Sequence, residues 1–274
     1  MEASESPAMY GWSIAGIYMK NLIRHLFGRF YSVKYSEDLI YKGAWKKGLF
    51  HGYGILKYNS KSTYQGNFRF GSKHGYGEIN SASGFKYAGE WKNGHQTGSA
   101  KIFYKNGDCY EGFVKSGIRS GFGELHEKSS QRVFKGNWEN GILTGEVEII
   151  SNDWEFIGSL KNNRAKGKLT YIDGSVYIGE LLSFTRHGIG KFTNKYGNQI
   201  SGFWIDDTNV NFSTSTDDEG FVWYGSLRNL KPHGIMKVKL PNGQKYDGVW
   251  HNGNLQEAFS IQKKTHEQPI SHIY

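Results

Sequence analysis

The chain has 274 residues, 37 of them glycine, and a formal charge of +9; only 37% of its residues are apolar, whereas 16% are aromatic. Aromatic rings beside many glycines, with so few other apolar residues, argue against a helical bundle and favour a sheet. The single cysteine, Cys109, excludes an internal disulfide, and the acidic start at Glu2 and Glu5 is unlike the basic start of a signal peptide. We therefore expect a cytoplasmic protein, whose positive charge serves either solubility or an acidic partner.

The first predicted element is a helix at residues 9–30, within an amino-terminal segment 1–38 that carries no repeat. Ile14, Tyr18 and Leu22 recur at helical spacing, with basic residues elsewhere around the helix. The apolar run is too short to span a bilayer. A short basic amphipathic helix of this kind either caps the open edge of a repeat array or contacts a membrane surface.

Residues 39–256 form a repeat array of ten units, spaced about 23 residues apart. Each unit contains a glycine, here called the anchor glycine, preceded at two residues by an aromatic side chain in nine of the ten units and followed at two residues by an apolar one. Three such positions share one face of a strand. We expect the anchor glycines to leave space for rings of the neighbouring unit. They are Gly43, Gly66, Gly89, Gly112, Gly136, Gly158, Gly179, Gly202, Gly225 and Gly248.

Turn residues complete each unit as a hairpin. Five residues after the anchor, most units have a glycine suited to a turn with positive φ, and Asn163 is the next best tolerated substitute. Between units, Asn-Gly and Asp-Gly pairs are typical of tight hairpin connections. The sequence therefore predicts an all-β fold, an elongated antiparallel meander of about ten hairpins, with a tail at 257–274. The turn glycines are Gly48, Gly71, Gly94, Gly117, Gly141 and Gly253, and the pairs are Asn106-Gly107, Asp173-Gly174 and Asn242-Gly243.

A third glycine, nine residues after the anchor, completes the motif, which reads YKGAWKKGLFHGYG in the first unit. This pattern resembles the MORN repeat, the membrane occupation and recognition nexus motif. The resemblance implies a scaffold in cytoskeletal or ciliary assemblies, associated with membranes or motor proteins. The unit at Gly202 departs from the pattern, because Asn211 replaces the third glycine and Asp206 and Asp217 lie nearby, so continuity of the array is in question there.

The sequence contains no recognisable catalytic constellation. No nucleophile has an evident base partner, and no phosphate-binding loop is present. His51, His74, His187 and His233 recur at one position of their units, but Thr97 at the same position suits a hydrogen bond to the turn and not metal coordination. We expect no enzymatic activity, no cofactor and no bound metal.

The predicted partner-binding surface is the face that carries the aromatic residues. Long repeat surfaces bind macromolecules, and Tyr and Trp are favoured anchors at such contacts. We predict that this face holds an extended or helical segment of a protein partner, cytoskeletal, ciliary or motor-associated, and no nucleic acid. The residues assigned to this contact are Tyr64, Phe68, Tyr87, Trp91 and Tyr110.

Basic residues three positions after the anchor glycine form a second candidate surface. Lys46, Arg69, Lys92 and Lys115 would lie at successive hairpin tips about 10 Å apart. Such a column fits anionic or phosphoinositide lipids, or an acidic partner, and it also fits a solvated edge that discourages sheet association. The competing function is therefore a peripheral membrane tether, whose binding would depend strongly on salt.

Overall fold

The computed structural model describes residues 31–36, 39–58 and 61–260, and the regular elements in these ranges are strands. The predicted helix at 9–30 and the part of the tail beyond 260 lie outside the described residues. Within the described ranges, no helix is long and apolar enough to cross a membrane.

The chain divides into two compact units, Met1–Asn152 and Asp153–Tyr274. In the first unit each described strand pairs antiparallel with the next, which makes a meander. Its strands are β1 (Tyr31–Ser36), β2 (Leu39–Lys46), β3 (Leu49–Tyr58), β4 (Ser62–Arg69), β5 (Ser72–Asn80), β6 (Lys86–Lys92), β7 (His95–Phe103), β8 (Cys109–Lys115), β9 (Ile118–Glu127), β10 (Arg132–Glu139) and β11 (Ile142–Ile150).

The second unit is a meander of the same kind. The predicted all-β antiparallel fold is confirmed, with ten hairpins running from β2–β3 to β20–β21. The strands of this unit are β12 (Trp154–Lys161), β13 (Arg164–Tyr171), β14 (Val176–Leu182), β15 (Thr185–Thr193), β16 (Gln199–Ile205), β17 (Thr208–Thr216), β18 (Val222–Arg228), β19 (Lys231–Lys239), β20 (Lys245–His251) and β21 (Asn254–Ser260).

Strand β1 precedes the ten hairpins and was not predicted. It lies in the segment 1–38 and pairs with β2, where Val33 lies opposite Tyr41. It therefore covers the edge of the first hairpin. The repeat pattern misses β1 because its sequence, YSVKYS, contains no glycine to align with the array.

The turns within the hairpins have two residues, both with left-handed backbone. In the first hairpin, Lys47 has a φ of 49° and Gly48 a φ of 73°. Two positive φ values in a two-residue loop define the primed turn that suits the right-handed twist of paired strands. The prediction of positive φ at the turn glycines is confirmed, and Asn163 adopts it as well, with a φ of 61°. The sequence alone did not reveal that the preceding residue is also left-handed.

The connections between hairpins are wider. In the first of the predicted pairs, the amide of Gly107 donates to the carbonyl of Tyr104, and the amide of Tyr104 donates to the carbonyl of Asp108. Only the glycine of this pair has positive φ, at 93°. Gly107 is therefore the last residue of a four-residue turn that begins at Tyr104. The predicted positions of these connections are confirmed, but the loops are longer than two residues.

The third glycine of the motif forms a bulge. Gly52 has a φ of 63°, and the register between β2 and β3 shifts between Gly43 and Trp45 because β3 carries extra residues there. Bulges bend a strand and increase its twist. The hairpin β12–β13 lacks this feature, since Gly158 and Gly167 pair directly and the register stays regular.

Candidate binding surface

The structure places the five rings predicted to bind a partner in the hydrophobic core. Tyr64, Tyr87 and Tyr110 are at most 1% exposed, and Phe68 and Trp91 are at most 5% exposed. Side chains buried to this degree cannot contact another molecule while the sheet stays folded. Their assignment as an exposed contact surface is therefore wrong, and their role is to pack the sheet.

Each tyrosine of the motif closes the interior of its own hairpin. The ring of Tyr41 lies over Gly43 and Gly54, so that a Cβ added to Gly43 would lie 2.5 Å from both the Tyr41 hydroxyl and the Gly54 Cα. The hydroxyl donates to the carbonyl of Ala44 at 2.8 Å. The anchor glycines are packing sockets, as predicted, but the ring that fills this socket comes from the same hairpin. Equivalent hydrogen bonds are made by Tyr64, Tyr87, Tyr110 and Tyr177.

Burial has an electrostatic consequence for these tyrosines. It raises the pKa of Tyr110 to about 12, and it raises the pKa of Tyr41, Tyr64, Tyr87 and Tyr177 further above the ordinary value. The cause is desolvation, which disfavours the charged phenolate. The hydroxyls therefore remain donors to the backbone throughout the physiological range.

Tryptophans join one hairpin to the one before. The indole N–H of Trp91 donates to the carbonyl of Gly77 at 3.1 Å, and the ring meets Tyr64 edge to face at 5.4 Å. Tyr and Trp pairs in this geometry stabilise a core beyond the area that they bury. The same two contacts recur at Trp138 and Trp204.

The basic residues predicted at the hairpin tips are exposed. Lys46, Arg69, Lys92 and Lys115 make no ion pair with another residue of the described ranges. The cations of Lys46 and Arg69 both lie 5.9 Å from the ring of Phe70. The tips therefore present positive charge to solvent that no acidic side chain of the described residues neutralises through an ion pair.

The recurring histidines contact the turns. Nδ1 of His51 accepts a long hydrogen bond of 3.5 Å from the amide of Phe70, and His74 and His233 make the equivalent contact. At His187, Nδ1 lies 3.9 Å from a carboxylate oxygen of Asp206, beyond hydrogen-bond distance. The predicted turn contact is confirmed for three of the four. Among the described residues, no cluster of three or more His, Cys, Asp or Glu side chains is arranged to hold a metal ion.

The opposite face of the sheet carries exposed rings that the sequence analysis missed. Tyr53, Tyr76, Phe113 and Phe122 are 43%, 55%, 54% and 66% exposed. Three of them occupy the position between the last two glycines of the motif. The alternation of faces along a strand could have revealed these rings. A residue directly before a buried glycine lies on the opposite, exposed face of the strand.

These rings and the polar residues between them form a continuous line across β3 to β10, here called the outer row. Tyr53 lies opposite Asn67, Tyr76 opposite Glu90, Ser99 opposite Phe113 and Phe122 opposite Asn137. Seven strand spacings make the row about 34 Å long. Its members are Tyr53, Asn67, Tyr76, Glu90, Ser99, Phe113, Phe122 and Asn137.

The basic tips flank the outer row. Arg69, Lys92 and Lys115 each follow a row residue by two positions, so they share its face of the sheet at a distance of about 7 Å along the strand. The flank on the other side differs, because it carries charges of both signs, and Lys101 and Glu111 there form an ion pair at 2.9 Å. The first unit thus combines exposed rings with one edge of unpaired positive charge.

The divergent hairpin β16–β17 keeps its pairing in the second unit, so the sheet is continuous where the sequence analysis questioned it. Ser213 and Asn209 are buried and hydrogen-bonded to each other beside Gly202, where the motif tyrosine would otherwise lie. Asp207 forms part of the turn and accepts from Nε of Arg186 at 2.9 Å. The acidic residues at this tip therefore belong to the turn structure.

The repeats match a known family. The MORN repeat model matches four consecutive segments, residues 41–63, 64–84, 87–109 and 110–126. Residues 41–126 of this chain therefore contain four MORN repeats. The four matched MORN repeats are the hairpins β2–β3 to β8–β9, which contain most of the outer row and all four basic tips. The later MORN-like hairpins are recognised by the same internal spacing and by their pairing. A comparison with curated proteins gave no match.

Two solved structures have a low similarity to this chain. The wild-type TCP10 domain of Danio rerio CPAP has 11% identity and a TM-score of 0.28, over 66% of this chain and 97% of that chain. The SAS-4 (dCPAP) TCP domain of Drosophila melanogaster, solved in complex with a proline-rich motif of Ana2 (dSTIL), has 15% identity and a TM-score of 0.28, over 64% and 84%.

Proposed function

We propose that the protein is a non-enzymatic scaffold that holds an acidic, apolar segment of a partner protein along the outer row. The observation that carries this proposal is the line of four exposed rings beside a column of cations without ion pairs. Exposed Tyr and Phe side chains are favoured anchors at protein contacts, and the charged edge speeds association with an acidic partner. The proposed setting is the cytoplasm, at a cytoskeletal or ciliary assembly, as in the MORN family.

The polar residues of the outer row favour a protein partner over a flat lipid surface. Glu90 lies between Tyr76 and Ser99, and its carboxylate accepts from the amide of Ser99 at 3.2 Å. An anionic bilayer pressed onto the row would repel and desolvate this carboxylate, which is costly. A protein segment can instead place a donor against it. An extended segment of about ten residues would cover the full length of the row.

A matched pair of triple variants tests this function. Tyr76, Phe113 and Phe122 are each replaced by Ser in one variant, and the exposed Ile157, Ile178 and Ile189 of the second unit are replaced by Ser in the other. Immobilised wild type and variants capture proteins from cell extract, mass spectrometry identifies the proteins, and calorimetry measures affinity for the captured segment. We expect the first variant to lose binding and the second to keep it, with circular dichroism spectra unchanged in both.

The same proteins distinguish the membrane tether. Flotation with vesicles of phosphatidylcholine and phosphatidylserine at low and high salt reports lipid binding. Salt-sensitive flotation that is lost when Lys46, Arg69, Lys92 and Lys115 are changed to Gln, together with equal protein capture by wild type and the outer-row variant, would contradict the scaffold proposal and favour the tether.

A further inference from the structure

Asparagine directly precedes glycine at five positions, and the structure places these pairs in two different settings. An asparagine side chain can be attacked at its amide carbon by the backbone nitrogen of the next residue, and glycine, which has no Cβ, hinders this attack least. Three pairs form turns within hairpins, and two lie in connections between hairpins. The first three are Asn93-Gly94, Asn140-Gly141 and Asn252-Gly253, and the other two are Asn106-Gly107 and Asn242-Gly243.

At the hairpin tips, the fold holds the glycine amide that would have to attack. Each of these amides donates to a carbonyl of the preceding hairpin, and each glycine is half-buried. The amide can be released only when two neighbouring hairpins part locally. The bonds run from Gly94 to Lys73 at 2.9 Å, from Gly141 to Arg119 at 3.0 Å and from Gly253 to Pro232 at 2.8 Å.

In the connections, the asparagine side chain folds over the two residues that follow it. Oδ1 of Asn106 accepts from the amide of Asp108 at 3.2 Å, and Oδ1 of Asn242 accepts from the amide of Gln244 at 3.0 Å. Such an Asx turn brings the side-chain carbonyl close to the backbone of the intervening glycine. The donated hydrogen bond also stabilises the negative charge that develops on Oδ1 when the amide carbon is attacked.

The side chains at the tips have no such donor. Within the described ranges, Oδ1 of Asn93, Asn140 and Asn252 accepts no hydrogen bond, since the contacts at Asn93 and Asn252 are made by the backbone amide. The two settings therefore differ at the electrophile as well as at the nucleophile.

The glycine amides of the connections are held only by their own turns. Gly107 donates to the carbonyl of Tyr104 at 3.0 Å, and Gly243 donates to that of Leu240 at 2.9 Å. Both glycines are exposed. Opening one of these four-residue turns leaves the strand pairing intact, so it requires less free energy than parting two hairpins.

We propose that Asn106 and Asn242 are sites of spontaneous conversion to aspartate and isoaspartate, and that the fold protects the three asparagines at the hairpin tips. The glycine nitrogen loses its proton to hydroxide and attacks Cγ of the asparagine, which forms a C–N bond. The bond from Cγ to Nδ2 breaks, its electron pair stays on nitrogen, and this nitrogen takes a proton from water and leaves as ammonia.

The product of this step is a five-membered cyclic imide. Water then adds to one of its two carbonyl carbons, and the bond from that carbon to the ring nitrogen breaks. Opening at one carbonyl gives aspartate, and opening at the other gives isoaspartate. In both cases the net reaction consumes one water, releases one ammonia and replaces the side-chain amide with a carboxylic acid.

The conversion would alter two connections between repeats. It adds a negative charge, and isoaspartate also routes the main chain through the former side-chain carbon. At Asn106 this lengthens the turn that the bond from Gly107 to Tyr104 closes, between the third and fourth hairpins. At Asn242 it affects the connection between the ninth and tenth hairpins. The outer row keeps its rings in either case, so the modification is independent of the proposed partner contact.

Incubation of the full chain at neutral pH and body temperature tests the proposal, because all five pairs react in one sample. Peptide mass spectrometry at successive times measures the amide converted at each asparagine. We expect Asn106 and Asn242 to convert at least about tenfold faster than the three tip asparagines. Equal rates at the five pairs, or faster conversion at the tips, would overturn the proposal.

The same incubation in guanidinium chloride, where the chain is unfolded, separates the fold from the local sequence. We expect the five rates to become similar, because the hydrogen bonds that distinguish the two settings are lost. A ranking that persists in the unfolded chain would assign the difference to neighbouring residues and would overturn the structural explanation.

Trp91→Phe tests the protection at one tip. Trp91 and Gly94 belong to the same hairpin, and both donate to the hairpin before it. Loss of the indole hydrogen bond should let this junction open more often. We expect Asn93 to convert several-fold faster in W91F, whereas Asn140 and Asn252 keep their rates, and a thermal melt confirms that the variant is folded. An unchanged rate at Asn93 would contradict protection by the bond between hairpins.

Discussion

The indole N–H of Trp91 in the third repeat donates to the carbonyl oxygen of Gly77 in the second, at 3.1 Å. The donor belongs to one hairpin and the acceptor to the hairpin before it. Trp138 and Trp204 make the same contact with Gly123 and Gly190. At these three junctions one indole ring thus bonds to the preceding hairpin, whereas each tyrosine bonds within its own hairpin.

Replacement of Trp91 should measure the energy of one junction. Trp91→Phe keeps most of the ring but leaves the Gly77 carbonyl unsatisfied, at a cost of about 1 to 3 kcal/mol, and Trp91→Ala should cost about 3 to 5 kcal/mol. Urea denaturation followed by circular dichroism gives both values. The exposed Tyr76→Ala is the control and should change the free energy of unfolding by less than about 0.5 kcal/mol. Equal losses for W91A and Y76A would contradict the core assignment.

Gly89→Val should damage folding more than Lys92→Ala. A Cβ at Gly89 would lie 2.6 Å from the Ser99 carbonyl oxygen and 2.7 Å from the Ala100 Cβ, so the paired backbone would have to shift. Overpacking of this kind costs on the order of 1 to 3 kcal/mol or more, and loss of an exposed lysine costs within about 0.5 kcal/mol. Thermal melts compare the two. Similar melting temperatures would show that the anchor glycines are not sockets.

Replacement by glycine should have opposite effects on the free energy of unfolding at two turn residues, Leu230 and Phe184. Leu230 has a φ of 61° and is exposed at the turn, so Leu230→Gly should stabilise the protein by about 0.5 to 1 kcal/mol, since left-handed backbone strains residues that carry a Cβ. Phe184 has a φ of 66° but stacks on Trp154 at 5.5 Å and meets Phe156 at 5.7 Å. Phe184→Gly should therefore destabilise it. Urea denaturation midpoints for the two variants report the sign, and stabilisation by both would mean that these ring contacts contribute little.

Alkaline pH should unfold the protein steeply. Burial raises the pKa of Tyr110 to about 12 and that of Tyr41, Tyr64 and Tyr87 further, whereas an unfolded tyrosine ionises near pH 10. The folded state thus holds protons that the unfolded state releases. The contribution of these tyrosines to the free energy of unfolding is fully present below about pH 10 and declines as pH rises above that value.

Thermal melts between pH 8 and 12, with phenolate absorbance recorded in parallel, check this dependence. We expect the absorbance of the buried tyrosines to appear only with unfolding. Tyr110→Phe keeps the ring and removes one titrating group, so its melting temperature should fall less steeply above pH 10. Full ionisation of all tyrosines before the loss of secondary structure would refute the burial argument.

Most of the fold could be predicted from the sequence because period-two alternation fixes which residues share a face. The sequence did not allow a prediction of which face is buried and which is exposed. In the sequence, Tyr64 and Trp91 lie near glycines, a pattern that an open aromatic groove would also produce. In the structure, glycines on two adjacent strands let the tyrosine ring lie flat against the backbone. The absence of a Cβ at Gly66 and Gly77 therefore closes the surface instead of opening it.

The outer row and the contacts of Lys73 with the rings of Tyr58, Tyr64 and Trp91 depend on tertiary distances. Tyr76 appears in the sequence as a variable residue between two glycines, and only the pairing with Glu90 places it in a line of rings. Lys73 stands 15 residues from Tyr58 and 18 from Trp91 along the chain. A local pattern cannot bring these side chains together, because their approach depends on the register of three successive strand pairings.

The tyrosines bond within a hairpin and the tryptophans bond between hairpins, and this difference affects how such a chain can lengthen during evolution. A tyrosine whose hydroxyl bonds within its own hairpin depends on no other copy. Trp91, Trp138 and Trp204 each donate to the glycine carbonyl at the same position of the copy before them. Tandem duplication of one repeat would therefore create a new junction with every hydrogen bond already provided. Length can change by gene duplication or deletion in steps of about 23 residues without compensating substitutions.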